Sequence, residues 1–205
     1  SFCHEPFHEK ASVSDEIIPY ELYKKLIDDI AKHSIKCFLV DNGKTIEQRY
    51  IDSLHKVDGT LITSIENHRL YIYDNVEYVI DTQTYHPEQL NSKHQKIIIR
   101  IRKSDISQLA DIVVELMQAC PKITFMHPDL LSYTEEDFEL YKSELKKIYQ
   151  NVLDKKKMWD SDFSIQCMTN HHEKDELINE CSAGLNSIAV NHKGEVFYCP
   201  AAAKD

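Results

Sequence analysis

Glycine is scarce in this 205-residue chain: Gly43, Gly59, Gly184 and Gly194 are the four, and no two lie close together. Phosphate-cradling loops such as G-x-G-x-x-G or the Walker type need several glycines within a few residues, so nucleotide binding by those devices is excluded. Long apolar runs are missing too. Ile97–Ile99 and Ala110–Val114, the latter interrupted by Asp111, fall far short of the roughly 18 to 20 apolar residues that cross a bilayer. Basic charge is in deficit, with 24 Lys and Arg against 34 Asp and Glu and a net charge of -10. That balance repels phosphate backbones and anionic lipid, which argues against nucleic acid and membrane as partners. The short basic run Lys155-Lys156-Lys157 reads as the solvated end of a helix. A soluble, cytoplasmic protein is expected. The chain opens on Ser1 rather than Met, so its true beginning is expected to lie upstream.

What is present is a globular composition, 42% hydrophobic and 28% charged, which excludes a fibrous or wholly disordered chain. Ile18, Leu22, Leu26, Ile27 and Ile30 recur at three- and four-residue steps and predict a helix from Pro19 and Tyr20 to about His33. Lys36–Val40 reads as a buried strand closed by an Asp41-Asn42-Gly43 turn. A short helix over about Thr45–His55 and a strand near Thr60–Ile65 follow. Strands are expected around Arg69–Tyr73 and Val79–Thr82, then a loop over Tyr85–Lys93 with a short helix after Pro87. Lys96–Arg102 is a strongly β-branched strand, and Ser104 is placed to cap a helix over Ile106–Ala119. Lys122–Met126 is a further strand. Thr134 and Asp137 resemble a capping box opening a helix over about Glu135–Leu153, with Glu135-Glu136-Asp137 complementing its dipole. Alternating β and α segments of this kind predict an α/β fold with parallel strands.

Chemistry concentrates after about Lys157. Six cysteines stand at 3, 37, 120, 167, 181 and 199. Cys37 and Cys120 sit among apolar residues and read as core filling. Cys3 and His4 with His8, and His171-His172-Glu173, have metal-ligand residue types but read as ordinary terminal and loop segments. Between Cys181 and Cys199 lie Ile188-Ala189-Val190, then Asn191-His192-Lys193-Gly194, then Glu195-Val196-Phe197, the pattern of a hairpin whose Gly194 can take positive φ. One thiolate precedes this ribbon and another closes it, an arrangement that presents paired soft ligands to iron or zinc. A disulfide is the structural alternative, poorly suited to a reducing compartment.

The spacing from Cys181 through twelve residues to Gly194, then four to Cys199, resembles the opening of the SPASM domain of radical SAM peptide maturases. The wording Cys-Ser-Ala-Gly-Leu-Asn-Ser-Ile-Ala-Val-Asn-His-Lys-Gly-Glu-Val-Phe-Tyr-Cys-Pro-Ala is similar to the CXXX repeat peptide maturases. Ser1-Phe2-Cys3-His4, the Lys96–Arg102 strand with Ser104-Asp105-Ile106, and Tyr133-Thr134-Glu135-Glu136-Asp137 extend the likeness over most of the chain. The resemblance implies a partial radical-SAM-like β/α barrel over residues 1–157 and the first SPASM hairpin over 158–205. It further implies that Cys181 and Cys199 begin the ligand set of an auxiliary [4Fe–4S] cluster, whose remaining cysteines would fall beyond Asp205. The implied function is maturation of a ribosomally synthesised cysteine-repeat peptide, with the precursor peptide, and a separate maturation enzyme, as partners.

The departures are equally specific. No two cysteines lie within ten residues, so the CxxxCxxC motif that holds the S-adenosylmethionine-cleaving cluster is absent, as is the Gly-Gly-Glu segment for that cofactor. Binding of S-adenosylmethionine is therefore not carried over, and no catalytic residue is named. Either the chain is a piece of a longer protein or it belongs to a degenerate branch. Two further readings stand beside the first: a non-catalytic partner that binds the precursor, and a small zinc site built from Cys167, Cys181 and Cys199 with His171 or His172.

Overall fold

The computed structural model describes residues 17–41, 46–65, 75–83, 96–118, 120–128, 130–155, 163–165 and 188–197. The elements are, in chain order, α1 (Tyr20–His33), β1 (Phe38–Val40), α2 (Gln48–His55), β2 (Thr60–Ser64), β3 (Val76–Asp81), β4 (Lys96–Arg100), α3 (Leu109–Leu116), β5 (Lys122–Met126), α4 (Glu135–Asp154), β6 (Ser164–Ile165), β7 (Ala189–Val190) and β8 (Val196–Phe197). The fold class is α/β, as the alternating pattern predicts. Two compact units divide the chain: Ser1–Asn75 with Asp175–Asp205, and Val76–Lys174. The expected change of domain at residue 157/158 and the expected strand at Arg69–Tyr73 lie outside the described residues.

In the first unit β1 and β2 run parallel, with Phe38 opposite Thr60 and Val40 opposite Ile62. Lys36–Val40, expected as a buried strand, is only half so. Phe38 and Val40 share one face and are 56% and 48% exposed, while Leu39 on the other face is partly covered. Period-two geometry sends neighbouring side chains to opposite faces, and only one face of this pair is packed. The helices α1 and α2 meet through tyrosines. Tyr23 donates to the Tyr50 carbonyl at 3.2 Å, Tyr50 donates to the Ile18 carbonyl at 2.7 Å, and their rings lie 5.0 Å apart. Arg49 covers the Tyr20 ring at 4.6 Å. Between α2 and β2 the chain turns at Gly59, where a Cβ would stand 2.3 Å from Leu54 Cδ1.

The second unit is a four-stranded parallel sheet in the order β3-β4-β5-β6. Its register aligns Tyr78, Ile97 and Ile123 in one row, and Ile80, Ile99 and Phe125 in another. This face is apolar, and Ile80, Ile97, Ile99, Ile123 and Ile165 have essentially no solvent contact. Leu109, Val113 and Leu116 of α3 and Ile148 and Val152 of α4 are likewise fully buried. The opposite face carries charge: Glu77 with Lys96 at 2.5 Å, and Asp81 in register with Arg100.

The expected helix cap at Ser104 is corrected. Residues Lys103–Gln108 form a 3₁₀ segment, and α3 begins only at Leu109 with no side-chain cap from its own sequence. Ser104 Oγ donates instead to Asp105 Oδ1 at 2.7 Å. The acceptor at the start of α3 comes from another helix: the buried carboxylate of Glu144 takes the Ala110 amide at 3.0 Å, while Lys147 holds its other oxygen at 2.5 Å. A carboxylate at a helix N-terminus satisfies orphan donors and meets the positive end of the dipole. The expected capping box at Thr134 is present. The Asp137 amide donates to Thr134 Oγ1 at 3.4 Å, and the Thr134 amide donates to Asp137 Oδ2 at 2.6 Å.

Two stability predictions follow from these contacts. Replacing Glu144 by Ala leaves a buried amide without its acceptor and is expected to cost about 1–3 kcal/mol in urea unfolding, with Glu144→Gln costing less because it keeps an acceptor oxygen. Gly194, at φ 82°, closes the β7–β8 turn, and a Cβ there would stand 2.6 Å from Leu22 Cδ2 of α1. Gly194→Ala is expected to cost about 1–2 kcal/mol, and adding Leu22→Ala should not restore stability, because the left-handed backbone strain persists.

Candidate functional site

Charge on the second unit is organised by the strand ends. Asp81 closes β3, Arg100 closes β4, and Arg102 follows two residues later. Period-two alternation puts Arg100 and Arg102 on the charged side, and the register brings Asp81 across from Arg100. Arg102 donates to Asp81 Oδ2 at 3.0 Å, and Arg100 approaches the same oxygen at 3.7 Å. The other oxygen, Oδ1, accepts the Gln83 amide at 3.1 Å. Beside this trio, Asp105 is buried and bonded by the Thr82 and Ser104 hydroxyls, and Thr82 also donates to the Arg100 carbonyl at 3.3 Å. These groups gather at the carboxyl ends of parallel strands, the edge where α/β sheets ordinarily take their ligands.

A second polar group stands just past β5. His127 Nδ1 lies 3.3 Å from Tyr133 Oη, and its Nε2 lies 3.1 Å from Tyr141 Oη. Tyr133 commits its own proton to the Ile101 carbonyl at 3.3 Å. Both phenol rings stand edge-on to the imidazole at 87°. The two phenols hold the histidine ring in one orientation. In the first unit, Asp41 follows β1 and takes the Thr63 hydroxyl at 2.6 Å, with both residues buried.

The residues singled out by spacing fall elsewhere. Cys181 and Cys199, and likewise Cys3, His4, His8, Cys167, His171 and His172, lie outside the described residues. Of the stretch between Cys181 and Cys199, residues 188–197 are described, and they form the expected hairpin. Val190 pairs with Val196 antiparallel, and the Gly194 amide donates to the Asn191 carbonyl at 3.0 Å. Asn191 Oδ1 holds the turn by accepting the Lys193 and Glu195 amides at 3.0 Å each. Cys120 is buried as expected, with its Sγ 3.2 Å from the Lys122 carbonyl, and burial pushes its thiol up to about 11. Burial also raises the half-buried Cys37 thiol. Among the described residues no three His, Cys, Asp or Glu side chains stand together as a metal-binding group. Sequence reasoning missed the Asp81, Arg100 and Arg102 trio, although Lys96, Arg100 and Arg102 at even spacing through an isoleucine strand mark one face as polar.

Neither a protein-family model nor a curated protein matches the chain. Among the described residues no helix is long and apolar enough to cross a membrane.

The capping box at α4 yields a pH prediction. The Lys103 ammonium, 2.7 Å from Asp137, and then the Thr134 hydroxyl and amide hold the Asp137 carboxyl down to about 2. A folded value below the unfolded one means that the ionised form favours folding. This contribution is present above about pH 4 and is lost as pH falls through about 2. Carbon-detected NMR of the side-chain carboxyl is expected to show a midpoint near 2, moving upward in Lys103→Gln; a wild-type midpoint near 4 would contradict the pairing.

Proposed function

We propose that this chain is a radical-SAM-like protein of the SPASM type that takes part in maturing a ribosomally synthesised cysteine-repeat peptide. The observation that carries the reading is the β7–β8 hairpin, turned at Gly194 and bracketed in sequence by Cys181 and Cys199. The parallel β/α arrangement of both units is compatible with a partial barrel, and it supports the reading without defining it.

The donor chemistry fits an iron–sulfur group in kind and in part. Two thiolates, Cys181 and Cys199, are half of the four that a cubane cluster ordinarily takes. Bound there, such a cluster would supply electron transfer or a ligation point for substrate thiols, and the chain's own part is to hold it on the hairpin and to seat the precursor. A second reading, a non-catalytic partner that binds the precursor and presents it to a separate enzyme, is favoured by one observation: the wide spacing of all six cysteines, which leaves no CxxxCxxC.

Anaerobic iron, sulfide and zinc analysis separates these readings, on this chain and on one extended past Asp205. Iron with sulfide in the extended protein, lost in both Cys181→Ala and Cys199→Ala, is the expected result for the SPASM reading. Zinc near one equivalent, lost in the same variants, would replace it with a structural zinc site. Neither metal in any form, with precursor binding retained, would leave the binding partner.

A further inference from the structure

Helix α4 leaves a file of apolar side chains open to solvent. Phe138 and Tyr149 are 47% and 42% exposed, and Leu145 between them is half-buried. Phe138 and Tyr149 stand three turns apart and fall within about 20° of each other around the helix axis. Phe138, Lys142, Leu145 and Tyr149 follow steps of four, three and four residues, the spacing by which one helix seats against another. Leu153, 40% exposed, continues the file by one more turn. The residues that α4 commits to the core, Glu144, Ile148 and Val152, form a neighbouring file. Single exposed apolar residues are ordinary on a protein surface, whereas a continuous row of them on one helix marks a contact. The Tyr133 ring, 5.6 Å from that of Phe138, steadies the exposed phenyl in place.

Charge beside the row specifies what covers it. Along its outer border stand Glu139 toward the amino end and Lys146 toward the carboxyl end, both exposed. That order complements itself when reversed. A second α4 laid antiparallel, with the two-fold axis between Ser143 and Glu144, brings the partner's Lys146 within reach of Glu139. The symmetry repeats the contact with the roles exchanged, as an isologous interface requires. The same superposition sets Phe138 against the partner's Tyr149 and Lys142 against the partner's Leu145, each twice. The aromatic pair fills the ends of the contact. The Lys142 stem covers the partner's Leu145 while its ammonium stays in water. Within α4, Lys142 pairs with Glu139 at 3.2 Å, but both side chains are well exposed and this bond is given up at little cost.

We propose that α4 is the seat of a two-fold dimer of this chain, formed by antiparallel pairing of the two copies of the helix. A stable interface buries about 800 Å² on each partner, more than one side of a 20-residue helix supplies, so the dimer is weak and grows with concentration. The inference stands on α4 alone and is independent of the peptide-maturation reading.

The test is sedimentation equilibrium of the full chain from about 10 μM to about 1 mM. A reversible monomer–dimer equilibrium is expected. Glu139→Lys and Lys146→Glu each turn two attractive pairs into two repulsive ones and should weaken the dimer about tenfold. The double variant Glu139→Lys with Lys146→Glu restores both pairs with their signs exchanged and should dimerise as the wild type does. Leu140→Ser alters an apolar residue that is also exposed but lies on the other side of α4, and should leave the dimer unchanged. A monomer over the whole range would overturn the proposal. So would a dimer indifferent to the single charge changes, one that the double variant fails to restore, or one lost in Leu140→Ser. The wild-type series and the rescue in the double variant keep the test decisive even where a single variant folds poorly.

Discussion

The second unit depends on strict alternation along β3, β4 and β5. Parallel pairing places residues of equal phase side by side, so a single choice of register sends Ile80, Ile97, Ile99 and Ile123 to one face and Glu77, Asp81, Lys96 and Arg100 to the other. Sliding one strand by a single residue would bury charge against isoleucine and expose isoleucine among charges. The cost of that error on three strands at once is what pins the register. The Asp81, Arg100 and Arg102 trio, and the path by which Thr82 reaches both Asp105 and the Arg100 carbonyl, exist only because the register is fixed.

The same unit manages its helix ends by borrowing. The start of α3 takes its acceptor from Glu144 on α4, and the start of α4 takes its charge complement from Lys103 in the 3₁₀ segment before α3. Glu144 of α4 thus serves the start of α3, and Lys103 of the 3₁₀ segment holds the Asp137 that caps α4. The exchange ties α4 to the segment that carries Arg102, Ser104 and Asp105, and so ties the helix layer to the strand ends. The His127 ring, fixed by Tyr133 after β5 and Tyr141 within α4, adds a third tie at the same edge.

Much of this was legible in the residues. The apolar spacing of Leu22, Leu26, Ile27 and Ile30, the β-branched run at Ile97–Ile99 and the Thr134-to-Asp137 spacing each placed an element correctly, because each is decided by local propensity and period. Gly194 was legible for the same reason, since a turn between two alternating segments leaves few conformations for the residue that closes it. Ser104 was misread because a hydroxyl before an apolar run has the form of a cap, whereas the true acceptor, Glu144, is 34 residues away from the amide it serves. Phe38 and Val40 were read as buried because a short apolar run does not reveal whether one face or both will be packed. The charged trio escaped notice because ion pairing across strands is set by register. Of the cysteine site, the residues and their bracketing of a turn were legible; Cys181 and Cys199 themselves lie outside the described residues.

The buried position of Cys120 makes it a slow thiol. Burial raises its value to about 11, so Cys120 stays a thiol at neutral pH, and the thiolate is the form that alkylates, oxidises or exchanges. Brief treatment of the folded protein with an alkylating reagent therefore passes Cys120 by, and unfolding opens it to the reagent. Loss of the β4–β5 core is then readable by mass from the appearance of the Cys120 label.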